Sequence, residues 1–139
     1  MATDPNCVFC KIVAGQIPCF KLYEDGDTLA FMDINPVHDG HCLVISKVHY
    51  PTVFEVTPEA FAGAARTAIK VAKAVNTALR PDGLNLVQSN GPGAAQSVLH
   101  FHLHILPRQM RDGLFINWGL TPGDRARIAE VAERIRAAL

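Results

Sequence analysis

His100-Phe101-His102-Leu103-His104-Ile105-Leu106 is a run in which imidazole and apolar side chains alternate without a break. Successive side chains on a β-strand point to opposite faces, and the backbone rises about 3.3 Å per residue. The spacing therefore predicts three imidazoles in a row on one face, with Phe101, Leu103 and Ile105 on the other. One face is free for chemistry and the other belongs to a core. Upstream, Asn90-Gly91-Pro92-Gly93-Ala94-Ala95-Gln96 reads as a loop joining a strand over 84–89 to a strand over 99–106. Pro107, which has no N–H for a ladder, is expected to end the second strand.

Working outward, the first half reads as short strands parted by turns. Residues 21–24 lead through Asp25-Gly26-Asp27 to 28–34 and then 42–46, both rich in β-branched, aromatic and aliphatic residues. Thr57-Pro58-Glu59 is a helix start. Phe61, Ala65, Ala68, Ala72, Val75 and Leu79 then recur at helical spacing up to Arg80, where Pro81 and Gly83 stop the pattern. A second helix over 124–139 carries Ile128, Val131, Ala132, Ile135 and Leu139 on one side and arginines on the other. This order predicts an α+β fold with a mainly antiparallel sheet, one long helix and a C-terminal helix.

With 139 residues, 49% of them hydrophobic, the chain fits one domain over 1–139, with its core over about 7–108. Lys plus Arg and Asp plus Glu number 13 each, so there is no basic excess to hold nucleic acid or a membrane surface. Any phosphate must be held locally. The N-terminus lacks the pattern of a signal peptide, and no apolar run reaches the roughly 20 residues that span a bilayer, so a cytoplasmic protein is expected. In that setting the four cysteines are read as thiols or metal ligands rather than disulfides.

A single histidine is more often a satisfied polar group than a catalyst, but three in strict alternation favour a functional reading. Neutral imidazole attacks through one nitrogen while the other keeps the proton, so an acceptor such as a backbone carbonyl must pin the proton-bearing nitrogen. A histidine flanked by two more on its own strand is placed for that.

These residues, with Gln96-Ser97-Val98, Asn90-Gly91, Phe31-Met32-Asp33-Ile34, Gly40-His41-Cys42-Leu43-Val44-Ile45 and Lys47-Val48-His49, make the chain resemble the histidine-triad family of nucleotide hydrolases and transferases. The resemblance runs from about Cys7 to Arg108 and is nearest to the bacterial members of the branch that cleaves purine nucleoside phosphoramidates. It implies that His102 attacks the α-phosphate of an AMP-like purine nucleotide, forming a nucleotidyl-histidine that water hydrolyses. It implies that His104 bonds the phosphate or leaving group, supplying a proton or positive charge, and that the His100 carbonyl holds the Nδ1 proton of His102. Asn90, Gln96 and Ser97 become neutral donors to the phosphate and leaving group. Asp33 accepts from the ribose hydroxyls, and Phe9, Ile12, Ile17, Phe31 and Ile34 wall the base pocket or belong to the core. Family members commonly carry glycine where this chain has Ala95; alanine is strained there by roughly 1 kcal/mol if the backbone must be left-handed.

Cys7-Val8-Phe9-Cys10 has a spacing shared by redox dithiols and zinc sites. The resemblance completes a structural Zn2+ site with His49 and His100, and no catalytic metal is required. Cys19 and Cys42 read as buried thiols, and His38 and His41 as structural. Trp118 either lines the substrate entrance or packs at a subunit contact. The resemblance also implies a homodimer. Two other readings stay open: a dinucleoside polyphosphate hydrolase, and a zinc-stabilised nucleotide-binding module with little turnover.

Overall fold

The structure is a computed structural model that describes residues 2–116 and 119–139, so Trp118 lies outside the described residues. Five strands form one antiparallel sheet in the order β1-β2-β3-β5-β4: β1 Lys21–Glu24, β2 Thr28–Met32, β3 Cys42–Ser46, β4 Gly83–Val87 and β5 His102–Arg108. Three helices accompany it, α1 Val8–Val13, α2 Pro58–Leu79 and α3 Arg125–Ala138. The expected α+β architecture is thus present, with the long helix starting and stopping where the sequence signals it. Thr57 accepts a hydrogen bond from the Ala60 N–H, Pro58 opens the first turn, and Arg80 closes the helix at φ +46° with its N–H on the Asn76 carbonyl.

Alternation along the strands builds two cores, one on each side of the sheet. On the α2 side Ala30, Cys42, Val44, Phe101, Leu103 and Ile105 pack with Ala64, Ala68 and Val71. On the α1 side Leu29, Phe31, Leu43 and Ile45 pack with Cys7, Phe9 and Cys10. Because β5 pairs Cys42 with Ile105 and Leu43 with His104, the apolar residues of the histidine strand join the α2 core and the imidazoles fall on the α1 side. The sheet is therefore buried on both faces where it carries the histidines.

The structure departs from the sequence reading at several points. The strand begins at His102 rather than 99, leaving His100 just before it, yet His100 is fully buried. Pro107 does not end the strand, which runs to Arg108 with Pro107 opposite Leu84. Pairing with β3 stops at Ile105, so that side of β5 is open at Pro107 and a residue without an N–H is tolerated there. Helix α1 has no strong signal, being six residues long and capped by Cys7 without a side-chain hydrogen bond. Helix α3 lies within the expected 124–139 and is capped by Asp124, but it has no buried residue, and Ile128 and Ile135 are exposed. Among the described residues no helix is long and apolar enough to cross a membrane.

Gly40 leads into β3 at φ +88°, and a Cβ there would collide with Leu79 Cδ1 and come within 3.0 Å of Pro107 Cγ. The left-handed backbone and the close packing both call for glycine. Gly40→Ala is expected to destabilise the fold by about 1–3 kcal/mol, read as a lower denaturant midpoint at unchanged m. A midpoint equal to that of the unsubstituted chain would contradict this packing argument.

Candidate active site

The last imidazoles of the run stand side by side, His102 and His104 with ring centroids 4.8 Å apart. The Nδ1 of His102 lies 2.6 Å from the backbone carbonyl of His100. A carbonyl only accepts, so Nδ1 carries the proton and Nε2 is left with a lone pair. Phe9 presses edge-on against this ring at 5.2 Å and also meets Phe31 at 5.5 Å. Burial lowers the pKa of His102, and pushes His104 down to about 4, so both are neutral imidazoles at pH 7.

A cavity of about 520 Å³ opens beside them, within the range of small-ligand sites. Phe9, Ile12, Ile17, Phe31, Asp33, Ile34, Ser97, His102 and His104 all line it. Its wall is apolar at the α1 end and ends in the two histidines. Pro18, Cys19 and Phe20 also line it, a contribution the sequence reading missed although the stretch after α1 is visibly apolar. Cys42 by contrast is fully buried, with its thiol pushed up to about 11 by burial. A second, more open recess of about 730 Å³ lies between Asp82 and Phe115, but its Arg108 is already occupied by Asp112, Asn85 and the Leu114 carbonyl.

Two of the expected donors are not brought to the cavity. The Asn90 carboxamide accepts from the Val53 N–H at 2.7 Å and pairs with Gln88. Gln96 accepts from the Gly91 N–H at 2.8 Å and donates to the Pro51 carbonyl at 2.7 Å. Both side chains brace the loop before β5. Ala95 is left-handed at φ +57°, a strain of roughly 1 kcal/mol for a residue with a Cβ, and its N–H bonds the Pro92 carbonyl. Among the described residues no protein acceptor takes the N–H of Ser97 or Val98, which leaves two backbone donors beside the histidines.

Asp33 sits at the other side of the site, with Oδ1 accepting from the Asn35 N–H at 2.8 Å and Oδ2 3.2 Å from His41 Nε2. The same His41 nitrogen is 2.9 Å from His104 Nδ1. His41, read from sequence as structural, thus belongs to the site. His38 lies 3.2 Å from Asp112, away from it.

Cys7, Cys10, His49 and His100 converge behind the histidine strand, their ligand atoms all within 4.8 Å of one another. Cys7 Sγ to His100 Nδ1 is 3.5 Å, Cys10 Sγ to His49 Nδ1 is 3.4 Å and His49 Nδ1 to His100 Nδ1 is 3.3 Å. A tetrahedron with Zn–S and Zn–N bonds of about 2.3 and 2.0 Å has edges of about 3.3–3.8 Å, so the donor set fits zinc. The second nitrogen of His100, Nε2, lies 2.7 Å from the Ser46 carbonyl. That carbonyl takes the Nε2 proton and frees Nδ1 for a metal.

Burial holds His100 as well as His104 at about 4, below the roughly 6.5 of an unfolded histidine. The unfolded chain therefore binds more protons between those values. This contribution to stability is complete above pH 6.5 and is lost as the pH falls towards 4. The metal-free chain is expected to lose stability across that window, and His104→Gln to show a shallower loss, both read by denaturant midpoints at stepped pH. Equal slopes in the two proteins would refute the assignment.

Against known proteins, a sequence profile described as the HIT domain matches residues 14–111. An adenosine 5'-monophosphoramidase of Schizosaccharomyces pombe is 40% identical over 131 residues, covering 94% of this chain and 96% of that protein. The crystal structure of a HIT family protein from Bacillus anthracis superposes with a TM-score of 0.90 at 40% identity, over 99% of both chains. A zinc-bound histidine triad family protein from Mycobacterium smegmatis gives a TM-score of 0.73 at 36% identity, over 93% of this chain and 97% of that one. The matched span holds all six histidines, including the three whose spacing sets the site on β5, and the chain belongs to the HIT-domain family.

Proposed function

We propose that the protein hydrolyses adenosine or other purine nucleoside phosphoramidates, and related conjugates, at the α-phosphate. The observation that carries this reading is the 2.6 Å contact between His102 Nδ1 and the His100 carbonyl, which leaves Nε2 as a neutral nucleophile at the end of the cavity. The base fits among Phe9, Ile12, Ile17, Phe31 and Ile34, and the ribose hydroxyls donate to Asp33. The phosphate then lies against His102 and His104, where Ser97 and the free N–H groups of Ser97 and Val98 stabilise its oxygens.

In the first step His102 Nε2 forms a bond to phosphorus while the phosphorus–nitrogen bond to the leaving amine breaks. The amine departs with that electron pair and takes a proton from solvent. The nucleotidyl-imidazolium keeps its Nδ1 proton on the His100 carbonyl, so its positive charge is held by a fixed dipole. Water then attacks phosphorus, the bond to Nε2 breaks and returns its pair to the ring, and the nucleoside monophosphate leaves as the water gives up a proton. The homology to an adenosine 5'-monophosphoramidase supports this class of substrate.

Cys7, Cys10, His49 and His100 would hold a structural zinc ion, with every ligand position supplied by the protein. Zinc there supplies a cross-link between α1 and the start of β5, and the chemical steps need no metal. Steady-state hydrolysis of a fluorogenic adenosine phosphoramidate is expected for the native chain, and His102→Ala is expected to lose about 10³-fold or more. Both should bind one zinc per chain, and added divalent metal should not raise the rate. Turnover that survives His102→Ala would refute the mechanism. Faster cleavage of diadenosine tri- or tetraphosphate would move the protein to the dinucleotide class, and AMP binding without turnover to a binding module.

A homodimer is also inferred. Strand β4 is an edge of the sheet, and Leu86 on it and Ile69 and Leu79 on α2 are exposed. Light scattering on the purified chain is expected to give twice its 15.1 kDa mass, and a mass of one chain at micromolar concentration would exclude this assembly.

A further inference from the structure

His41 is buried at one end of β3, where its ring meets that of His104 at a centroid distance of 5.2 Å. Its two nitrogens have different partners. The backbone N–H of Val37 points at Nδ1 from 3.2 Å, while Nε2 lies 2.9 Å from His104 Nδ1 and 3.2 Å from an Asp33 oxygen. A backbone N–H only donates, so Nδ1 of neutral His41 must be the bare nitrogen and Nε2 must carry the proton. That proton then lies between two acceptors, Asp33 and His104 Nδ1. If His104 Nδ1 accepts it, the proton of neutral His104 must reside on Nε2, the nitrogen left for the cavity that His104 lines.

The same three residues, Asp33, His41 and His104, have ligand atoms within 4.8 Å of one another and so could also be read as a cation site. The partner beyond the ring decides against it. A histidine that binds a metal through one nitrogen holds its proton on the other and donates it to an acceptor. His100 meets that condition through the Ser46 carbonyl. His41 fails it, because a cation on Nε2 would put a proton on Nδ1, facing the Val37 N–H.

We infer that His41 is a positioning residue that holds His104 in its Nε2–H tautomer, so that a neutral His104 donates a hydrogen bond to the phosphoryl group or the leaving atom. The role in turnover rests on the proposed hydrolase reading, whereas the tautomer does not. In this arrangement the Nε2 proton is shared with the substrate rather than surrendered. Its loss would leave His104 anionic unless the His41 proton followed, and His41 has no second proton to keep. The two catalytic imidazoles are thereby set in opposite senses by main-chain groups. The His100 carbonyl makes His102 bare at Nε2, and the Val37 N–H, acting through His41, makes His104 protonated at Nε2.

Long-range nitrogen–proton correlation NMR on the full chain, labelled with ¹⁵N-histidine and loaded with zinc, tests this without a substrate. At pH 7, His104 is expected to show a protonated Nε2 and a bare Nδ1. His41→Leu should bring its two nitrogen shifts towards an average, and His41→Gln, whose amide can still donate to His104 Nδ1, should restore the separation. In turnover, His41→Leu is expected to lower kcat by about 10²-fold with little change in KM, and His41→Gln to recover most of that loss. A proton on Nδ1 of His104 in the native chain, or separated shifts that persist in His41→Leu, would overturn the assignment. So would a second equivalent of zinc bound by the native chain and lost in His41→Gln.

Discussion

A slip of one residue in the pairing of β5 would turn His102 and His104 into the α2 core and send Phe101, Leu103 and Ile105 to the opposite side. Phe101 and Ile105 are fully buried against Ala64, Ala68 and Val71, and this fixes the register more firmly than any polar contact could. Every feature of the site follows from that register. It sets His104 opposite Leu43 and His102 opposite Ile45, brings His41 to the neighbouring ring, and leaves His100 to turn back towards the cysteines. The histidines sit where they do because the alternating apolar side chains have nowhere else to go.

Once buried, the imidazoles face an electrostatic limit. A charged ring deprived of water is costly, so the site works with neutral rings and controls which nitrogen carries the proton. Main-chain groups do this because they cannot change their own protonation. The carbonyls of His100 and Ser46 demand a proton from His102 Nδ1 and His100 Nε2, and the Val37 N–H refuses one at His41 Nδ1. Two clusters with similar spacing are thus distinguished by the group behind each ring. The cluster of Cys7, Cys10, His49 and His100 could hold a metal, whereas the Val37 N–H behind His41 favours a hydrogen-bonded chain at Asp33, His41 and His104.

Much of this was legible in the sequence because it rests on period and punctuation. The two-residue repeat of β5, the Thr57-Pro58 start and Arg80 end of α2, and the helical spacing over 124–139 are local signals, and the chain obeys them. Contacts between distant segments were not legible without the resemblance. Asn90 and Gln96 carry the right groups to bind phosphate, yet their partners are Val53 and Pro51, some 40 residues away in sequence, and they became braces. His41 looked structural because nothing nearby reveals that β3 lies against β5. Helix α1 went unread since six residues make too short a window for periodicity. Pro107 misled because the rule it invokes applies to a strand flanked on both sides, and the β3 ladder has ended there.

Helix α1 serves two masters within six residues. Cys7 and Cys10 belong to the thiol and imidazole cluster, while Val8, Phe9 and Ile12 furnish the cavity wall, and Phe9 touches both His100 and His102. A substitution that reshapes this wall also shifts the knuckle, and one that alters the knuckle tilts Phe9 against His102. The cavity wall and the Cys/His cluster cannot be altered separately along this stretch. On the far side of the cavity, Ile17, Phe20 and Ile34 line it without belonging to the Cys/His cluster, so a change there can reshape the cavity and leave that cluster as it is.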